Sequence, residues 1–162
     1  MRKIIILAAL VVIVGIQFIP VQRNNPPVYA DIQAEPQVKA ILQRACFDCH
    51  SNDTVWPWYS RVAPVSWVLA HHVKEGRGHI NFSDWGSYPL RRQARIAEES
   101  WEEVEKGGMP LKGYVKFHQD AVLSPADKEL LKAWSESMKA ERDNEQQQEN
   151  EEKENNEENV AG

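Results

Sequence analysis

The sequence predicts an all-α fold, and three observations carry that expectation. Apolar residues recur at helical spacing in four stretches. Proline, serine and glycine punctuate the ends of those stretches, where helix starts and stops use them. The glycine-containing interval at residues 76–85 reads as a loop and not as a strand.

The chain opens with Met1-Arg2-Lys3, followed by an apolar run over residues 4–21 that only Gly15, Gln17 and Pro20 interrupt. Positive residues ahead of an apolar stretch mark an export signal. As a helix the run would measure about 27 Å, close to the hydrocarbon thickness of a bilayer. Residues 1–22 are therefore expected to be a membrane anchor or signal segment. The transmembrane anchor is preferred over cleavage at Val28-Tyr29-Ala30, because the run is long for a signal peptide and the site lies well beyond it. Both fates deliver the rest of the chain outside the cytoplasm. The anchor makes the membrane a partner and places the protein on the periplasmic side of the inner membrane, held by residues 4–21.

Residues 23–30, with Pro26-Pro27, read as a linker too rich in proline for a helix. A helix over residues 34–45 follows, with Pro36 in its first turn. Val38, Ile41, Leu42 and Ala45 lie on one face of it.

That helix runs into Cys46-Phe47-Asp48-Cys49-His50. Two cysteines three apart, with histidine directly after the second, form a c-type haem attachment motif. Each thiol adds across one vinyl group to make a thioether, and the histidine ring nitrogen is the proximal axial ligand. Other readings of the spacing are weaker. A thioredoxin-like pair belongs in a βαβ pattern that is absent. A zinc site uses separated tetrahedral ligands. A structural disulfide has no use for His50. These are the chain's two cysteines, so no disulfide framework competes for them.

Beyond a polar turn at residues 51–54, the run Trp56-Pro57-Trp58-Tyr59-Ser60-Arg61 is expected to wall the haem crevice, with Arg61 or an aromatic N–H or O–H near a propionate; Trp58 and Arg61 are the candidate haem-binding residues of this run. A second helix spans residues 64–76, with Val65, Val68, Leu69 and His72 on one face, so that His72 points inward. An inward histidine beside haem is a ligand, a hydrogen-bond partner or a satisfied core residue. A third helix covers residues 89–106, with an apolar stripe through Leu90, Ala94, Ala97, Trp101 and Val104, and Gly107-Gly108 stops it.

Met109 follows in a glycine-flanked loop, from which a thioether can be presented to a metal; thioether is a known sixth ligand to haem iron. Residues 111–123 read as an irregular closing segment. Ser124-Pro125-Ala126-Asp127 reads as a capping box, and Leu130, Leu131, Trp134 and Met138 stripe the last helix, making Met138 a core residue.

Residues 141–162 hold nine acidic and two basic side chains and almost nothing apolar, so a disordered acidic tail is expected there. The net charge of −5 comes from this tail, since the remainder carries +2. No basic face appears, which argues against nucleic acid as a partner.

The order of parts resembles a class I cytochrome c. More narrowly, residues 46–52, Trp56-Pro57-Trp58-Tyr59-Ser60, Ala63-Pro64-Val65-Ser66-Trp67, residues 72–77, Asn81-Phe82-Ser83-Asp84-Trp85 and Met109-Pro110 resemble the bacterial haem-binding domain family of small monohaem proteins, over roughly residues 31–139. Tyr114, His118 and Leu123-Ser124 continue the likeness. The resemblance implies one covalent haem c linked through Cys46 and Cys49, with His50 as axial ligand, in a domain over residues 31–140. Met109 is the expected sixth metal ligand and His72 the rival.

Three function classes fit. One-electron transfer with redox partner proteins at the membrane surface is favoured over catalysis, because a His50/Met109 pair closes the iron. A haem-based sensor or small-ligand binder needs a displaceable sixth ligand. A peroxidase-like enzyme needs an open iron with an acid–base group such as His72 or His118.

Overall fold

The computed structural model describes residues 1–161 and is built from helices, with no strand among the described residues. Its contacts divide it into two compact units. The first combines Met1–Tyr29 with Phe47–Ser83; the second combines Ala30–Cys46 with the chain from Asp84 onward.

In the first unit, α1 (Arg2–Ile16) is a 15-residue helix with no buried side chain. At 1.5 Å per residue it is about 22 Å long, short of the ~30 Å hydrocarbon core. No helix among the described residues is long and apolar enough to cross a membrane. The expected transmembrane helix over residues 4–21 is therefore corrected. Pro20 disfavours helix at the residue before it, and Gln17 is engaged elsewhere. Its side-chain nitrogen donates to the Ala63 carbonyl at 3.2 Å, and its side-chain oxygen accepts from the Ala63 N–H at 2.9 Å.

Helix α3 (Phe47–His50) is one turn, and α4 (Val65–His79) packs against it. Phe47 stacks on Phe82, with ring centroids 5.5 Å apart. The expected inward face of α4 is also corrected. Ser66, Val73 and Gly76 are buried, whereas Val65 and Val68 are about half exposed and His72 is exposed. Gly76 allows this: with no β-carbon there, α4 sits directly against the Cys49 carbonyl of α3. The helix also runs three residues past Gly76, and a 3₁₀ segment at Phe82–Ser87 occupies the end of the expected loop.

In the second unit, α2 (Pro36–Ala45) buries Val38, Ile41, Leu42 and Ala45, as its periodicity predicts. Helix α5 (Leu90–Glu105) packs along the last helix, α7 (Pro125–Ala161), and α6 (Lys112–Val115) is a single turn between them in sequence. Ala94, Ile96, Ala97 and Val104 of α5 and Leu131, Trp134 and Met138 of α7 are buried. Trp134 lies against Trp85, with centroids 5.7 Å apart.

The capping box is present. Ser124 donates its backbone N–H at 2.8 Å and its hydroxyl at 2.7 Å to Asp127, whose own N–H donates to the serine oxygen at 3.2 Å. Helix α7 does not stop at residue 141 but continues to Ala161, so the expected disordered tail is corrected. Glutamate, glutamine, lysine and arginine are good helix formers, and extending a formed helix needs no new nucleation. Arg142 donates to Glu98 at 3.1 Å and Arg91 to Glu149 at 3.1 Å, tying the extension back to α5.

Candidate functional site

Cys46 caps α2, with its N–H donating to the Leu42 carbonyl at 2.8 Å. The next turn, α3, carries Cys49 and His50. No disulfide joins the cysteines. The turn is seated on Gly76 of α4, where a β-carbon would collide with the Cys49 carbonyl. This close approach brings the Gly76 carbonyl to His50: Nδ1 donates to it at 3.0 Å, with the Ile80 carbonyl at 3.4 Å as a second acceptor.

With its proton on Nδ1, the ring keeps the Nε2 lone pair for a metal, and the hydrogen bond fixes its orientation. Burial lowers the His50 pKa below the usual imidazole value, and the two carbonyls oppose that shift. The neutral, ligating form is thus the one favoured. Burial, and then the Asp48 carboxylate, push the Cys49 thiol up to about 11, while Arg77 opposes the rise. A protonated thiol is unlike the low-pKa thiolate of a redox CxxC pair. No group of three or more His, Cys, Asp or Glu among the described residues is arranged to hold a metal ion. The chemistry of the donors therefore fits haem: two thiols flank one turn, and a neutral imidazole follows with its outer nitrogen fixed.

A polar clasp holds the segment after the motif. Arg77 donates from Nε to the Ser51 carbonyl at 2.7 Å, and from its two Nη atoms to the Asn24 carbonyl at 2.9 Å and the Thr54 hydroxyl at 2.8 Å. Burial lowers its pKa. The Asn52 side chain donates to the Pro27 carbonyl at 2.8 Å and accepts from Asn81 at 3.1 Å, while the Asn52 N–H donates to the Ser83 hydroxyl at 2.8 Å. Asp48 accepts from the Val55 N–H at 2.8 Å.

The first unit brings Cys49 and His50 together with Gly76 and Arg77. Gly76, Arg77 and Asn52 were missed as site residues, because their partners in the site lie 23 or more residues away in the chain. The other expected residues lie elsewhere. Trp58 sits in a 3₁₀ turn, Trp58–Arg61, at 78% exposure, its ring edge-on to Tyr59 at 5.8 Å. Arg61 and His72 are exposed. Met109 belongs to the second unit, in the loop after α5. Gly107, at φ +73°, opens that loop in a conformation that glycine adopts readily. The Met109 N–H donates to the Glu103 carbonyl at 3.1 Å, and its side chain is 37% exposed.

An all-helical chain with a CxxCH turn whose histidine is held in the ligating tautomer defines a haem-binding protein. The family model described as "Haem-binding domain" matches residues 11–137, and the chain belongs to that family. No curated protein and no solved structure matches it.

Proposed function

We propose that this chain is a covalent haem c protein that carries single electrons outside the cytoplasm. Bound at the motif, haem supplies reversible one-electron exchange at its iron. Cys46 and Cys49 hold the ring through thioethers, and His50 ligates through Nε2. The observation that carries this reading is the His50 Nδ1 hydrogen bond to Gly76, which leaves Nε2 as the ligating atom. In this reading Met109 would supply a further ligand to the iron, which suits electron transfer better than substrate chemistry. Arg2 and Lys3 at the start of the exposed, otherwise apolar α1 support delivery across the membrane.

The test uses protein matured in a host that attaches haem c. Acid–acetone should leave the pigment on the polypeptide, a pyridine haemochrome should report one haem per chain, and Cys46→Ala/Cys49→Ala should lose it. Extraction of all the pigment into acetone rejects the thioethers. In ferric protein the weak sulfur-to-iron charge-transfer band should be present and should vanish in Met109→Ala. If it is absent from the start, and His72→Ala loses low-spin coordination, His72 replaces Met109. A reporter enzyme active only after export, fused after residue 30, should be active; an inactive fusion removes the location.

The half-exposed Met109 favours a second reading, a sensor with a displaceable sixth ligand. Rapid carbon monoxide binding by ferrous wild-type protein would select it over the carrier.

A further inference from the structure

The first unit contains a cavity of about 480 Å³ between the segment after α1 and α4. That is within the ~300–1,000 Å³ typical of small-molecule sites. Trp56 and Trp67 supply flat apolar wall, and Val21 and Val73 add to it. The charged lining is of one sign: Lys74 and Arg77 line the cavity, and no carboxylate does. Arg77 is held in place by hydrogen bonds to neutral oxygens of Ser51, Asn24, Asn25 and Thr54, and the Asp53 carboxylate, which does not line the cavity, acts on it as a nearby charge. Lys74 is exposed and makes no ion pair among the described residues. The Trp67 indole N–H is buried without a hydrogen-bond acceptor, an unusual state for a polar group beside a cavity.

We infer that this cavity seats a carboxylate carried on a flat aromatic ring, with Lys74 and Arg77 facing the anion and the two indoles facing the ring. Apolar walls with a few convergent donors are what such a ligand needs, and a cation or a purely aliphatic molecule would leave those donors unmatched. Two molecules present this chemistry: a free aromatic acid and the propionate-bearing edge of haem itself. The second source rests on the haem reading above; the first stands without it.

The experiment uses the haem-loaded full chain, with a pyridine haemochrome on every sample so that loss of haem is seen separately. Calorimetric titration with 2-naphthoate should give saturable binding that Lys74→Gln weakens about fivefold and Lys74→Arg restores; this selects the free acid. No naphthoate binding, together with a midpoint potential lowered in Lys74→Gln and restored in Lys74→Arg, selects the haem edge, because removing a cation beside the anion favours the ferric state. Naphthoate binding indifferent to Lys74→Gln overturns the assignment. So does an absence of binding with an unchanged potential.

Discussion

In the second unit the buried side chains are apolar: Val38, Ile41 and Leu42 of α2, Ala94, Ile96, Ala97 and Val104 of α5, and Leu131, Trp134 and Met138 of α7. In the first they are largely polar. Ser51, Asn52, Thr54, Ser60, Ser66, Asn81 and Ser83 are buried there, and Ser135 is the one buried polar residue of the second unit among those described. Apolar burial is non-directional and tolerates small shifts. A hydrogen-bonded polar hub is directional and costs heavily when a partner is missing. The first unit thus trades bulk stabilisation for a fixed geometry around Cys49 and His50. The second gains its stability by packing. Damage to the second should lower stability and spare the motif, whereas damage to the first should disturb haem attachment at a smaller cost in stability.

Trp134→Ala is the strongest test of the packed side. It should destabilise by about 3–5 kcal/mol in chemical denaturation, while the folded fraction keeps its covalent haem. Loss of attachment at full folding would erase the contrast. Gly76→Ala acts on the other side. Its methyl group meets the Cys49 carbonyl, so α3 must shift, at a cost of about 3 kcal/mol. Haem per chain should drop, measured by haemochrome against polypeptide mass. Unchanged stoichiometry and spin state would show that the close approach does not matter.

Asn52→Ala removes the hydrogen bonds to the Pro27 carbonyl and from the Asn81 amide and should cost about 2 kcal/mol. Faster amide exchange confined to the first unit is the expected signature; exchange that rises equally in α5 would contradict the division. The smallest effect concerns the start of α7. Hydrogen bonds from Arg44, and then from Ser124, against an opposing cost of burial, hold the Asp127 carboxyl at about 2, below its usual 3.8. Its contribution is therefore complete above the unfolded value near 3.8 and disappears as pH falls through about 2. The loss should be about 1 kcal/mol, given partial solvent screening. Acid titration of Asp127→Asn should lack that component; an identical acid profile would remove it.

Much of this was legible in the chain. The apolar stripe of α2, the Ser124–Asp127 box and the core position of Met138 follow from local spacing, because i, i+3 and i+4 neighbours decide them. The motif Cys46-Phe47-Asp48-Cys49-His50 is local too, and its spacing alone points to haem. The short α1 and the helical tail were misread, because hydropathy and composition do not register the Gln17–Ala63 pairing or the ties from Arg142 and Arg91 to distant glutamates.

By itself the sequence determined that the fold is helical, where α2, α5 and the start of α7 fall, and where charge accumulates, since each depends on neighbours within a turn or two. Only the tertiary structure decided which face of α4 turns inward, which carbonyl holds His50, and what Arg77 clasps. Those outcomes depend on a close approach at Gly76 between segments 26 residues apart, where the absence of a side chain outweighs the presence of apolar ones.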